Sequence, residues 1–165
     1  MPHITFEAIL PSDSPEVIAL ARKIWLAHYP GIITLEQIEY MLPKMYTPEI
    51  IIEELREEIA WVKILAGGEL AGFASYGAHS DRQLKLHKLY LDERFHGQGI
   101  GRAALNHVAQ QARDMGYVEV VLNVNKQNAK AIRAYLQTGF NIVEEKVVDI
   151  GGGFVMDDFV MVKSV

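Results

Sequence analysis

Residues 84–108 read LKLHKLYLDERFHGQGIGRAALNHV, and no other stretch constrains the fold as tightly. An apolar run with strand character passes through three glycines at alternate positions, Gly97, Gly99 and Gly101, straight into a stretch with helical periodicity. Glycines let a backbone take φ > 0 and approach a ligand closely. The first N–H groups of the helix that follows lie unpaired at the positive end of its dipole. The segment therefore reads as an anion site, with a tight and unliganded strand-to-helix turn as the alternative use of the same residues.

The flanking chain alternates strands and helices without a linker, a repeat or a low-complexity segment. HITFEAI reads as a first strand. Asp13 or Ser14 caps a helix through PEVIALARKIWLAH, Thr34 and Gln37 form a capping box for TLEQIEYMLPKM, and Thr47-Pro48 opens EIIIEELRE. EIAWVKILA and ELAGFASYGAH join across Gly67-Gly68 as a hairpin. After RQLKLHKLYLD come a helix ended by Gly116, the strand YVEVVLNVN, a helix ended by Gly139, and a terminal strand pair around Gly151-Gly152-Gly153. The order is mixed α/β, and residues 1–165 are expected to form a single domain. With no cysteine, disulfides, thiolate metal sites and a cysteine nucleophile are excluded. A net charge of −5 speaks against nucleic acid as an electrostatic partner. No apolar run approaches the ~18 residues of a membrane span, and the N-terminus lacks a signal-peptide pattern, so a cytoplasmic protein is expected.

Two phosphate-binding patterns fail on context. Gly99, Gly101 and Ala104 satisfy G-x-G-x-x-A with Glu119 about 20 residues on, but Glu119 begins a strand where a dinucleotide-binding unit needs an acid at a strand's end. No G-x-x-x-x-G-K-[ST] is present. HGQGIG instead resembles the pyrophosphate loop Q/R-x-x-G-x-G/A of the GNAT N-acetyltransferase superfamily, with His96 at the Q/R position. NVNKQNAKAIRAYLQTGF resembles that family's next segment, in which an Asn opens a helix and a Tyr closes it before Gly-Phe. The two motifs span Lys85 to Phe140. A looser resemblance, carried by YPGIITLEQIEYML, LKLHKLYLDERFHGQGIG and DDFVMVK, is to the spermine/spermidine acetyltransferase-like branch.

The resemblance implies a mostly antiparallel, twisted sheet of about seven strands with splayed central strands and about four helices, and acetyl-CoA as co-substrate. It implies that Leu89, Tyr90 and Leu91 pair their backbone with the pantetheine amides, and that Gln98, Gly99, Ile100, Gly101 and Arg102 give N–H groups to the pyrophosphate. Gly97 turns the loop, and His96 departs from the family pattern. Asn128, Ala131 and Tyr135, at i, i+3 and i+7, share a helix face turned to the cofactor. Tyr135 becomes the general acid for the leaving sulfur. An aliphatic amine is neutral in only roughly one molecule in 2,500 at pH 7, so a base is also needed. The position of the family's frequent Glu is Lys85. His87, placed by alternation on one strand face with Lys85, Leu89 and Leu91, is the expected base, and a water chain ending on Asp or Glu the alternative.

Elsewhere the histidines show no metal-ligand spacing, and no metal is expected. Asp157 or Asp158 offers a carboxylate to a cationic substrate, with a solvated strand position as the competing use. Trp25, Tyr29, Tyr40 and Tyr46 are the expected aromatic lining of the acceptor pocket, with the core as their other destination. The implied activity is direct transfer of acetyl to a primary amine, a polyamine or another small cationic molecule. Protein N-termini and a non-catalytic acyl-CoA sensor are the alternatives. The expected partner is a small-molecule amine, with a homodimer open and neither nucleic acid nor membrane involved.

Overall fold

The computed structural model describes residues 2–165. In chain order the elements are β1 (Ile4–Ala8), α1 (Ser14–His28), α2 (Leu35–Met45), α3 (Pro48–Arg56), β2 (Ala60–Ala66), β3 (Glu69–Ala78), β4 (Gln83–Leu91), α4 (Ile100–Asp114), β5 (Glu119–Asn125), α5 (Ala129–Gln137), β6 (Asn141–Gly151) and β7 (Phe154–Ser164). Short 3₁₀ turns precede α1 and follow β4. The strands form one seven-stranded sheet in the order β1-β2-β3-β4-β5-β7-β6, antiparallel throughout except for β4 and β5. Five helices form where the family resemblance implies about four, because Thr47 caps α3 as a separate helix by accepting from the Ile50 N–H at 3.1 Å.

Side-chain alternation along the strands sends apolar groups to both faces. Val62, Ile64, Ala74 and Tyr76 pack with Ile100, Ala104, Leu105 and Val108 of α4, whereas Trp61 and Phe73 pack with Trp25, Ile38 and Ile51 of α1 to α3. The expected capping box at α2 forms by half. Thr34 Oγ1 accepts from the Gln37 N–H at 3.2 Å, but the buried Gln37 side chain donates to the Val155 carbonyl at 3.0 Å and ties α2 to β7. Tertiary pairing of a buried amide outweighs the local cap. Among the described residues no helix is long and apolar enough to cross a membrane.

Candidate active site

A fork in the sheet creates the site. β4 pairs with β5 only at Gln83–Glu119, Leu84–Val120 and Lys85–Val121, yet β4 runs on to Leu91 and β5 to Asn125. Along Leu89, Tyr90 and Leu91 the β3 side is paired, to Ala74, Phe73 and Gly72, and no strand among the described residues pairs on the β5 side. Ladder groups left open in this way can pair with an extended, amide-bearing ligand.

A β-bulge lies within the same strand. Tyr76 pairs with Leu86 and Ser75 with Lys88, so His87 is the extra residue and the side-chain phase slips. Leu84 and Leu86 before it, and Leu89 and Leu91 after it, join one core cluster, while Tyr90 joins the opposite one and Lys88 lies over the Trp61 ring at 5.0 Å. The alternation that placed His87 and Lys85 on one face with Leu89 and Leu91 is thus interrupted at His87. His87 is exposed at the cavity edge, and partial desolvation with Lys85, Lys88 and His79 nearby lowers its pKa to about 4. It is neutral at pH 7 and a weak proton acceptor.

The glycine loop is braced at its start and opens onto the α4 N-terminus. Asp92, 2% exposed, fixes its start by accepting from the Arg94 N–H at 3.2 Å and from Lys23 Nζ at 3.0 Å. Gly99, at φ +78°, is the left-handed N-cap of α4, and the first helical bond runs from the Ala103 N–H to the Gly99 carbonyl at 3.1 Å. The N–H groups of Ile100, Gly101 and Arg102 precede that ladder, and α4 has no acidic residue in its first turn. Lys130 Nζ donates to His96 Nδ1 at 2.8 Å, so the Nε2–H tautomer donates to the Leu91 carbonyl at 3.0 Å. At the Q/R position of the motif the imidazole therefore clamps the loop between β4 and α5. Gln98 turns its side chain back to the Arg94 carbonyl and, unlike Gly97, Gly99, Ile100, Gly101 and Arg102, does not line the cavity.

Asn128 caps α5, its Oδ1 accepting from the Ala131 N–H at 3.4 Å and from His28 Nε2 at 3.1 Å. From there the i, i+3, i+7 face delivers Ala131 and Tyr135 into one cavity of about 740 Å³ shared with the loop and the fork. Tyr135 packs against Phe140, and no hydrogen bond from its hydroxyl forms among the described residues. Burial, then Tyr29, raises its pKa, which keeps the phenol protonated at neutral pH. Tyr29 and Tyr90 share a hydroxyl–hydroxyl bond of 3.0 Å on the same wall.

Of the four aromatics expected to line the acceptor pocket, Trp25 and Tyr29 do so. Tyr40 instead donates to the Ile150 carbonyl at 2.8 Å, bracing the β6–β7 turn, and Tyr46 is buried among Trp25, Trp61 and Phe73. The two adjacent aspartates separate completely. Asp157 pairs with Lys126 at 2.8 Å outside the cavity, whereas Asp158 is 6% exposed, lines the cavity and leaves Oδ1 without a partner among the described residues.

A forked strand pair, a glycine loop at a helix N-terminus and a tyrosine facing both can be set against known sequences. The pattern of the Acetyltransferase (GNAT) family matches residues 24–140, well over half of the chain. The chain belongs to the GNAT acetyltransferase family. It is 28% identical over 157 residues to a spermidine N(1)-acetyltransferase of Thermoplasma acidophilum, covering 92% of this chain and 91% of the relative. It is 29% identical over 154 residues to an uncharacterized N-acetyltransferase of Mycobacterium tuberculosis, covering 93% and 98%. A PaiA N-acetyltransferase from Thermoplasma acidophilum, solved in complex with coenzyme A, superposes with a TM-score of 0.82 at 27% identity over 99% of both chains.

This GNAT member is accordingly an acetyl-CoA-dependent acyltransferase. Its own geometry fits the co-substrate. A Cβ built on Gly101 would meet only Leu91 Cδ1, at 3.7 Å, so neither packing nor φ requires glycine there.

Proposed function

We propose that this acetyltransferase transfers acetyl to a primary amine of a small cationic molecule, with a polyamine such as spermidine as the favoured acceptor. The observation that carries the reading is the convergence, in one cavity, of the α4 N-terminus, the Tyr135 hydroxyl and a single buried carboxylate. The similarity to a spermidine N(1)-acetyltransferase along nearly the whole chain supports the polyamine class.

In this reading the N–H groups of Ile100, Gly101 and Arg102 hold the pyrophosphate of acetyl-CoA, and Leu89 to Leu91 pair with its amide-bearing arm along the open side of β4. The Asn128 side-chain amide, whose oxygen is already engaged, has its N–H₂ free to donate toward the same arm. Tyr135, held protonated by its surroundings, gives its proton to the departing sulfur. Tyr29, backed by the buried Trp25 ring at 4.6 Å, supplies the aromatic surface along which a polyamine's methylene segments lie.

The test is a thiol-release assay with acetyl-CoA and a panel of spermidine, spermine, a simple diamine and a peptide with a free N-terminus. Spermidine or spermine should give a kcat/KM at least about 10-fold above the peptide, equivalent to ~1.4 kcal/mol of differential transition-state binding. No acetylation of either polyamine at millimolar concentration, with ready turnover of the peptide, would overturn the polyamine assignment and leave the acyltransferase standing.

A further inference from the structure

Every charged side chain lining the cavity is cationic except one. Lys85, Lys88, Arg102 and Lys130 stand on its walls, and Asp158 is the sole carboxylate among the described lining residues. Asp158 lies on β7 across from Asn125 of β5 and Lys146 of β6. No ion pair to it forms within 4 Å among the described residues, in contrast to Asp157 and its Lys126. A buried carboxylate oxygen without a donor is normally eliminated or paired, because its desolvation is not repaid. Here it is retained, on a side chain that lines the cavity.

The charged and titratable groups around it are Lys85 from β4, Lys126 from the β5–α5 connection, Lys146 from β6, its neighbour Asp157 and the hydroxyl of Tyr29, the residue that ends α1. Tyr29 also influences the Tyr135 hydroxyl, so Asp158, Tyr29 and Tyr135 share one electrostatic neighbourhood. His87 is poorly suited to the competing role. Burial, with Lys85, Lys88 and His79 nearby, depresses its basicity.

We infer that Asp158 receives the substrate ammonium and takes its proton, an assignment that rests on the amine-acetyltransferase reading above. The ammonium docks on the Asp158 carboxylate and an N–H bond breaks toward one of its oxygens. The freed lone pair forms the C–N bond to the acetyl carbonyl carbon while the C–S bond breaks, and Tyr135 protonates the sulfur. The second N–H proton, acidic once the C–N bond exists, replaces the one Tyr135 gave. The Asp158 proton passes to solvent, so one proton is released per turnover. Desolvation, then Asp157, raises the Asp158 pKa above the usual carboxylate value, against the pull of Lys85, Lys126 and Lys146, which makes it a better proton acceptor than a solvated aspartate.

The experiment compares Asp158→Asn with Asp157→Asn and His87→Gln, using acetyl-CoA and spermidine. The wild-type kcat/KM should rise with pH through an acid limb set above the ordinary carboxylate range. Asp158→Asn should lose that limb and at least about 100-fold in kcat/KM at neutral pH, with CoA affinity by calorimetry unchanged. Asp157→Asn and His87→Gln should keep the limb. Stability supplies an independent readout. A carboxylate whose pKa is raised on folding costs stability above that pKa, so Asp158→Asn should melt no lower than wild type at pH 7. The inference is overturned by an intact acid limb in Asp158→Asn, by a rise in KM with unchanged kcat, or by activity lost together with Tm or CoA affinity. A wild-type protein that acetylates no amine would instead refute the functional reading on which it rests.

Discussion

Replacing Gly101 with aspartate should move stability and co-substrate affinity in opposite directions. Gly101 has helical φ as the second residue of α4, and a Cβ there makes one ordinary contact, to Leu91 Cδ1 at 3.7 Å. Gly101→Ala should therefore stabilise the unliganded protein by about 0.5–1 kcal/mol, the ordinary gain of alanine over glycine in a helix, or roughly 1–4 °C in Tm. The loop motif accepts alanine at this position, so that methyl should leave CoA affinity nearly unchanged, whereas a larger side chain would reach toward the α4 N–H groups proposed to hold phosphate. Loss of one charge-assisted hydrogen bond costs about 1.5–3 kcal/mol, a ~10- to 150-fold weaker Kd for CoA. Gly101→Asp adds repulsion of about 3 kcal/mol for unit charges ~5 Å apart at an effective dielectric of ~20, while a carboxylate near a helix N-terminus stabilises the free protein by about 0.3–1 kcal/mol. Gly99→Ala behaves differently, because φ +78° penalises any side chain by about 1–2 kcal/mol before ligand is added. Thermal melts and CoA calorimetry on the three variants measure both quantities. Undiminished CoA affinity in a folded Gly101→Asp protein would refute the reasoning, as would a Gly101→Ala protein that melts several degrees lower.

Two further outcomes follow from the same geometry. Tyr135→Phe should lower kcat by about 10²-fold or more with CoA affinity nearly unchanged, read from steady-state kinetics beside calorimetry; a loss of affinity alone would reduce Tyr135 to a packing residue. Gly72→Ala should lose about 1–3 kcal/mol by denaturant titration and weaken CoA binding, because its Cβ would fall 2.7 Å from Leu91 Cδ2 and closer still to the Tyr90 carbonyl oxygen, displacing the strand that backs the loop.

Local signals carried much of this molecule into view. The alternate glycines, Asn128 as a cap and the i, i+3, i+7 face through Tyr135 are short-range features, and each occupies in space the place its spacing implies. What could not be read locally depended on partners far away in the chain. The bulge at His87 is one residue of register against β3, and the string LKLHKLYL reads the same with or without it. Asp157-Asp158 had to point to opposite faces of β7, but which face is enclosed depends on α1 and the fork. Tyr40 and Tyr46 differ from Trp25 and Tyr29 by nothing in composition; the Ile150 carbonyl takes one and the Trp61 and Phe73 rings the other.

The fork also divides the sheet mechanically. Among the described residues, strands β1 to β4 and strands β5 to β7 share only the three ladder pairs from Gln83 to Lys85, and beyond them the halves are held by α4 and the core cluster under it. A ligand lying between them closes the seam and adds its binding free energy to the native state alone, about 2.7 kcal/mol at a hundred times its Kd. Amide exchange along the open edge and cleavage by proteases, both of which sample partial opening, slow as that seam fills. Protease resistance of this acetyltransferase should therefore rise as acetyl-CoA is titrated in and fall as it is withdrawn.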